Sequence, residues 1–468
     1  MTKRRRFATL PPVTTPELAV GAQLELRGQA TDAEGSGVVE HAGRQLHVPG
    51  LLPGERARVR VDNLARFSAN AYGHMLELLE PHPQRRSPPC PRHRDPLAQA
   101  SHAGTCGGCP LMHLNVAGQR EAKRERLRGL GLELAEADLI NGDEWGYRWS
   151  SKRVVAGKLG KLWLGSRRAD PLAHTGQIAD MHGCLVDHPA IERVFEQLVR
   201  QANLERIQGW RPGHQDKPAT GDLRYAWAKT DGERVLLTLI TSPGEGDADH
   251  SRAAELLPEA LMAASPELAG VAWSVQPERG NAIRGRAPEL LAGVGTLTLE
   301  LAGVQVEVGP LGFLQPNPPM AAQAYLDLID LGDAEPRERV WDLYAGVGVT
   351  TALLRARHRE VIACESYAES AQALGIAPMA VEDFLLARKA ERPDLVVANP
   401  PRAGLGTEVC ARLVELAVPR LHMMSCNPES LAQDLARLAP AYELERLRGY
   451  DTLPQTAHLE LVACLRRR

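Results

Sequence analysis

Residues 339–351, RVWDLYAGVGVTT, indicate the architecture of the last part of the chain. The segment RVWDL predicts a strand, which runs into a turn containing Gly346 and Gly348. A helical pattern, TTALLRARH, follows this turn. Glycines at the carboxyl end of a strand let a ligand come close to the backbone. We therefore expect a strand, a ligand-binding turn and a helix, in this order.

The same alternation continues to the end of the chain. Strand-like segments EVIACE, DLVVANPP, LHMMSC and HLELVACLRR are separated by helical patterns, which predicts a doubly wound, mostly parallel α/β sheet. Asp342 ends the first strand, and Glu365, roughly 20 residues later, is placed to bind ribose hydroxyls. The turn lacks a full pyrophosphate-binding fingerprint, which favours S-adenosylmethionine as the ligand. The alternative interpretation is that the glycines only form a tight connection between the strand and the helix and bind no ligand.

The region before this sheet divides into two parts. In residues 14–80, short apolar runs alternate with glycine-rich breaks, as is typical of a small all-β barrel. The segment PHPQRRSPPCPRHRDP then predicts a linker. Residues 81–310 mix helical and strand-like patterns and predict an α+β domain. Residues 311–468 contain the predicted α/β domain.

The composition is that of an ordinary globular protein, with 24% charged and 44% hydrophobic residues among 468. No apolar run approaches the ~18 residues that span a bilayer, so we expect a cytoplasmic protein with no membrane partner. The first 170 residues carry a net positive charge and the remainder a net negative one. This asymmetry favours a polyanionic partner, although a basic solvated surface would look the same. Basic residues cluster at positions 3–6, 85–86, 123–128 and 167–168.

Four cysteines are candidate metal ligands. Cys106 and Cys109 form the motif CGGC, a spacing typical of metal-binding thiolates, and Cys90 and Cys184 would complete a set of four. The spacing does not distinguish an iron–sulfur cluster from zinc, and buried cysteines without a metal are a third interpretation. Nearby histidines keep zinc open: His93, His102, His113 and His182.

A fifth cysteine, Cys426, ends a strand-like run in HMMSCNPES at residues 422–430. A helix predicted from Pro428 would favour the thiolate through its positive end. A thiolate can add to C6 of uracil and make C5 nucleophilic. Glu460 is then the carboxylate available to remove the C5 proton, with His458 on the same strand face. The alternative is a small core residue, which is common for free cysteine.

Together these segments resemble the RNA 5-methyluridine methyltransferases, the family of tRNA and 23S rRNA uracil-C5 enzymes, over nearly the whole chain. GSGVVE through VPGLLPGERARVRV resembles the family's TRAM domain, an oligonucleotide-binding barrel, and CGGCPLMHL resembles its iron–sulfur segment. SCNPESLAQDL and LPQTAHLELVACL match the segments of the nucleophile and the general base, which implies these roles for Cys426 and Glu460. The resemblance implies a class I methyltransferase domain and a monomer that acts on structured RNA, 23S rRNA ahead of tRNA.

The resemblance also implies the residues that hold the cofactors. S-adenosylmethionine would contact Gln315 in GFLQPNP, Tyr344 in the glycine turn, Glu365 and Asn399. A [4Fe-4S] cluster, with zinc as the alternative, would be bound by Cys90, Cys106, Cys109 and Cys184.

Three positions depart from the family pattern. Asn399 stands in NPPR where relatives have aspartate; its amide could pair with uracil N3–H and O4 together. The gap between Cys90 and Cys106 is longer than in relatives, and Ala380 lacks a polar side chain that Glu382 or Asp383 would have to replace. NPPR leaves open a cytosine-C5 or amino-group methyltransferase. A non-catalytic RNA-binding iron–sulfur protein is the rival of another class.

Overall fold

The computed structural model describes residues 18–93, 106–167, 178–213, 219–243, 250–278, 282–331 and 335–468. Three features of the sequence, the basic cluster at residues 3–6, His102 and Arg168, lie outside these ranges. None of the helices in the described ranges combines the length and hydrophobicity that a membrane crossing requires.

The N-terminal part is a six-stranded sheet with the strand order β1-β5-β6-β4-β3-β2, antiparallel except between β4 and β6. Alternate residues of its strands, such as Leu46, Val48 and Val59, are buried in one core. The all-β character is therefore as expected, while the oligonucleotide-binding barrel stays a prediction. The strands are β1 (Gln23–Arg27), β2 (Ala30–Thr31), β3 (Ser36–His41), β4 (Arg44–Pro49), β5 (Arg56–Leu64) and β6 (Asn70–Glu80).

The middle of the chain forms a seven-stranded mixed sheet in the order β10-β9-β8-β11-β12-β13-β14. Two helices, α2 and α3, bury their apolar faces against one side of it. The elements are α1 (Val116–Gly129), a 3-10 turn (Glu136–Asp138), β7 (Leu139–Asn141), β8 (Ser150–Lys158), β9 (Lys161–Arg167), β10 (Ile178–Asp180), α2 (Pro189–Leu204), β11 (Leu223–Thr230), β12 (Val235–Thr241), α3 (Arg252–Ala264), β13 (Leu268–Val275), β14 (Glu289–Gly293), β15 (Leu297–Leu301) and β16 (Val304–Val308).

The C-terminal part confirms the predicted doubly wound α/β fold. Its sheet has the order β18-β17-β19-β20-β22-β21-β7, with β17 to β20 parallel and β22 antiparallel to both neighbours. Helices cover both faces. The elements are α4 (Pro318–Asp330), β17 (Arg339–Leu343), α5 (Val349–Arg355), β18 (Glu360–Cys364), α6 (Ala368–Ala373), α7 (Val381–Ala387), β19 (Leu395–Ala398), α8 (Gly406–Leu416), β20 (Arg420–Ser425), α9 (Pro428–Leu438), β21 (Tyr442–Asp451) and β22 (Glu460–Arg467).

Two segments from within residues 81–310 pack into the core of this C-terminal sheet. Strand β7 pairs with β21 at the edge of the sheet. The hairpin of β15 and β16 places Leu299, Leu301 and Val308 in the same core as α4. The C-terminal core is thus assembled from more of the chain than residues 311–468.

Helix α1 fixes the loop of residues 452–459 that leads into β22. Its buried Lys123 ammonium lies 2.5 Å from the Asp451 carboxylate at the end of β21. Gln119 exchanges side-chain and backbone hydrogen bonds with Gln455, a fully buried residue with a φ of 70°. Arg126 donates to the carbonyl of Ala457. The loop is therefore held by a helix from outside its own domain.

Candidate functional site

The candidate site lies at one edge of the C-terminal sheet. The ends of β17, β18 and β19 lie side by side, because Leu343 pairs with both Cys364 and Ala398. On the other side, Ser425 at the end of β20 pairs with Leu461 near the start of β22. Parallel strands present their carboxyl ends at the same edge, so the residues just beyond them converge. These residues are Tyr344, Glu365, Asn399 and Cys426, together with Glu460.

The glycine turn after β17 has the backbone that the sequence suggested. Gly346 and Gly348 have φ values of 56° and 93°, in the left-handed region that favours glycine. A Cβ at Gly348 would lie 2.4 Å from a methyl carbon of Leu374. Tyr344 also has a positive φ, 60°, which is uncommon for a residue with a side chain. The turn is therefore held in a conformation that few other sequences could adopt.

Two buried carboxylates organise this turn. Glu365 accepts hydrogen bonds from the backbone N–H of Gly346 at 2.8 Å and of Tyr367 at 2.6 Å. One oxygen of Asp342 accepts from the hydroxyls of Thr350 and Thr351. Its other oxygen is buried and, in the described ranges, has no partner. Burial raises the pKa of Asp342 to about 6. One carboxylate oxygen of Asp342, beside the turn, can therefore still accept a hydrogen bond.

The remaining predicted cofactor contacts lie around the same edge. Burial raises the pKa of Tyr344, and the charge of the Glu382 carboxylate raises it further. Glu382 therefore lies near this ring, whereas Asp383 is exposed. Gln315 donates a hydrogen bond of 3.2 Å to the hydroxyl of Tyr325 on α4. The open oxygen of Asp342, the glycine turn and Glu365 fit a ligand with a nucleoside group, as S-adenosylmethionine has.

The loops that follow β19 and β20 are joined by one side chain. Asn427 caps α9 by accepting from the N–H of Glu429 at 3.1 Å, and it donates to the carbonyl of Arg402 at 2.9 Å. Ser425 and Ser430 both donate to the carbonyl of Asn427 at 3.0 Å. The NPPR and SCNPES motifs, distant in sequence, therefore form one rigid unit.

Cys426 is half-buried in this unit, close enough to Arg402 for the guanidinium charge to act on the thiol. Burial and the charge of Glu460 raise the pKa of the thiol, and Arg402 opposes them. The sequence suggested that the positive end of α9 would favour the thiolate; in the structure removal from water has the larger effect, so the thiol form is favoured.

Glu460 lies on the α4 side of the sheet. Its neighbour along the same face, Val462, pairs with Met424, and both belong to the core that contains α4. Glu460 also influences Tyr325 and Cys426 electrostatically. Burial raises the pKa of this carboxyl to about 8, and only Arg402 lowers it. The carboxyl therefore lies next to the thiol, in a poorly hydrated environment.

Sequence reasoning missed two members of this site, Arg402 and Tyr325. Arg402 acts on both Cys426 and Glu460, and it follows the end of β19 in the NPPR motif. A cation placed after a strand that ends in the site was the signal that could have identified it. Tyr325 links Gln315 to the pocket, and nothing in the helical segment of α4 marks it.

The four cysteines of the predicted metal set line one cavity, together with Met112 and Met181. Burial raises the pKa of Cys109, and the other three thiols raise it further. His93 lines the same cavity, whereas His182 is exposed. Four thiols around one space are a donor set that suits an iron–sulfur cluster or zinc.

The chain is similar to known RNA methyltransferases. The family model of tRNA (uracil-5-)-methyltransferases matches residues 382–468. A protein of Nostoc sp. strain PCC 7120, named an uncharacterized RNA methyltransferase, is 30% identical over 92% of this chain and 93% of its own. One of Geobacter sulfurreducens with the same description is 29% identical, covering 96% and 91%. The crystal structure of Pyrococcus abyssi tRNA (uracil-54, C5)-methyltransferase with S-adenosyl-L-homocysteine has the same fold, with a TM-score of 0.69 at 22% identity, covering 94% of this chain and 99% of that one.

The buried carboxyl of Glu460 should make stability depend on pH. Its pKa is raised from 4.5 to about 8 in the folded state, so the unfolded chain loses the proton first and the free energy of unfolding falls as pH rises between these values. Glu460→Gln removes this penalty. We expect the variant to gain a few kcal/mol over the wild type between about pH 5 and about pH 9, measured by urea denaturation. Glu415→Gln, at an exposed position of α8, is the control and should show no such trend.

Proposed function

The chain belongs to the RNA (uracil-5-)-methyltransferase family, and from this premise we propose that it methylates C5 of one uridine in a structured RNA through a covalent adduct with Cys426. The observation that carries the proposal is the position of Cys426 beside the buried carboxyl of Glu460, with Arg402 acting on both. A nucleophile and a base at one sheet edge are what addition to C6 and loss of the C5 proton require.

In the proposed reaction, the Cys426 thiol releases its proton to solvent water and the resulting thiolate sulfur bonds to C6 of uracil. The electrons of the C5–C6 double bond move toward O4, so that C5 becomes nucleophilic and takes up a methyl group. Glu460 then removes the proton from C5, the double bond re-forms and the C6–S bond breaks. Arg402 supports this sequence by favouring the charged forms of the thiol and the carboxyl.

S-adenosylmethionine supplies the electrophilic methyl group when it is bound. The proposed contacts are Tyr344 and Glu365 at the glycine turn and Gln315 beside Tyr325, with Asp342 offering an unpaired buried oxygen. Because Glu365 is fixed by two backbone N–H groups, it can orient a ribose without rearranging. The side chains on the α4 side of the sheet exclude water from the reacting groups.

Asn399 is the proposed reader of the target base. It follows β19, between the glycine turn and Cys426, and its backbone N–H is held by the carbonyl of Leu343. An amide offers both an acceptor and donors, so it can pair with N3–H and O4 of uracil. The same amide, turned over, matches cytosine, which makes cytosine-C5 methylation the second candidate.

The proposed substrate is 23S rRNA ahead of tRNA. An RNA target has to leave its helical stack to reach a pocket of this kind. The six-stranded N-terminal sheet is proposed to hold the RNA backbone, as a TRAM domain would. A monomeric, cytoplasmic enzyme remains part of this prediction.

We further propose that Cys90, Cys106, Cys109 and Cys184 bind a [4Fe-4S] cluster with a structural role. The support is that all four thiols line one cavity, close to Arg148, whose charge favours thiolates. The N–H of Leu111, two residues beyond Cys109, donates to the carbonyl of Gln455 at 2.9 Å. A cluster that fixes the cysteines would therefore also help to fix the loop that precedes Glu460.

The assignment of the nucleophile can be tested with RNA that contains 5-fluorouridine. Fluorine at C5 cannot leave as a proton, so the wild type should accumulate a covalent protein–RNA complex on a denaturing gel in the presence of S-adenosylmethionine. Cys426→Ala should form none, and Cys410→Ala, which changes a buried cysteine of α8, should form as much as the wild type. A complex that persists in Cys426→Ala would refute the mechanism. Nucleoside mass spectrometry of the methylated product separates uridine from cytidine as the target.

The role of Glu460 predicts a different defect. Glutamine cannot accept the C5 proton, so Glu460→Gln should transfer one methyl group per protein and then remain bound to ordinary RNA. Turnover should fall by about 10²- to 10⁴-fold, the usual contribution of a general base. Steady-state and single-turnover methyl transfer should be compared, with Glu415→Gln as the control. Normal turnover in Glu460→Gln would contradict the assignment.

The cluster can be tested by metal content instead of activity. Protein purified without oxygen should contain iron and acid-labile sulfide, and Cys109→Ser should lose both because one thiolate ligand is missing. Cys410→Ala should keep them. Zinc in place of iron and sulfide would establish the alternative ligand, and unchanged iron in Cys109→Ser would show that this cysteine is not a ligand.

A further inference from the structure

The face of the central sheet opposite α2 and α3 carries three basic side chains close together. Lys152 on β8 stands directly across from Trp227 on β11, and Lys229 lies two residues beyond Trp227 on the same face. Their ammonium nitrogens lie 3.9 Å and 4.1 Å from the centre of the Trp227 ring. Arg284, in the loop after β13, is close enough to act on both lysines.

These three side chains repel one another. Within the described ranges, no carboxylate forms an ion pair with Lys152, Lys229 or Arg284. Burial, together with Lys152 and Arg284, lowers the pKa of Lys229 to about 6, and burial and Arg284 lower the pKa of Lys152. A group of basic side chains without a counter-charge is costly unless an anion binds beside it. Trp227 gives each ammonium only a partial compensation.

The backbone on both sides of Arg284 is held by side-chain hydrogen bonds. The Gln276 amide donates to the carbonyls of Ala282 and Arg284, and the Ser274 hydroxyl donates to the carbonyl of Arg286. The guanidinium of Arg284 itself is exposed, as is the side chain of Lys152. Two accessible cations are thus held above a buried lysine.

This group of side chains adjoins the catalytic pocket. The Lys229 ammonium donates to the carbonyls of Gly309 and Pro310, at 2.7 and 2.5 Å, where the loop that carries Gln315 begins. The N–H of Trp149 donates to the carbonyl of Pro316 at 2.7 Å, at the end of the same loop. Lys152 lies three residues from Trp149, or about 10 Å along a strand. An anion held here would lie beside the loop that carries Gln315.

We propose that Lys152 and Arg284, above the buried Lys229, bind a phosphodiester group of the RNA next to the target nucleotide. This inference rests on the proposed function, because it assumes that RNA is the substrate. A phosphate is the anion that such a substrate necessarily brings to this position.

The test is the salt dependence of RNA binding by full-length protein. With bulk tRNA and 23S rRNA as probes, the Lys152→Gln/Arg284→Gln double variant should bind more weakly than the wild type. The slope of log Kd against log KCl concentration should fall by about 1, the value expected for one lost phosphate contact. The KM for RNA should rise, while kcat at saturating RNA stays unchanged.

The Lys158→Gln/Lys161→Gln variant is the matched control. It removes the same charge from exposed positions at the end of β8 and the start of β9, and should leave the slope nearly unchanged. Equal slopes in the two double variants would overturn the proposal, as would a weaker affinity for S-adenosylmethionine with unaltered RNA binding. If wild-type protein binds RNA with these slopes but forms no methylated pyrimidine, the proposed function fails and the phosphate site stands.

Discussion

The antiparallel pairing of β20 with β22 is the constraint on which the site depends. It places the end of β20 beside the start of β22, so Cys426 and Glu460, far apart in sequence, become neighbours at one edge of the sheet. The parallel strands on the other side bring the glycine turn and Glu365 to the same edge. A change of register by one residue would turn Glu460 to the opposite face, because strand side chains alternate. The reaction proposed here therefore depends first on how the strands are ordered and paired, and only then on the individual side chains.

The edge is also stabilised from outside its own sheet. Helix α1 contributes the buried Lys123, paired with Asp451, and Arg126, which binds Glu429 and the carbonyl of Ala457. Removing one partner of a buried ion pair typically costs about 3–5 kcal/mol, because the other charge is left without a partner. The loop before Glu460 is thus tied to the same segment of chain that follows the CGGC motif. Helix α1 is consequently a structural support of the candidate site.

Much of this arrangement could be predicted because apolar runs and motifs lie in the sequence itself. Strands β17 to β20 are short apolar segments, Cys426 directly follows β20, and Glu460 begins the apolar strand β22. Strand β21, YELERLRGYD, was missed because most of its first half is exposed and polar. The pKa of Cys426 was misjudged because burial depends on the packed structure. The position of Lys229 could not be predicted from the sequence, because its hydrogen-bond partners are backbone carbonyls about 80 residues away.

The shared influence of Arg402 on Cys426 and Glu460 has a further consequence. Both groups respond to one guanidinium and to each other, so their protons do not leave independently. The apparent ionisation constants seen in a pH–rate profile would then be macroscopic properties of the pair, and neither could be assigned to a single residue. Replacing Arg402 would shift both steps of the titration curve together. The two groups would then titrate as a coupled pair, in which burial raises both pKa values and Arg402 opposes it.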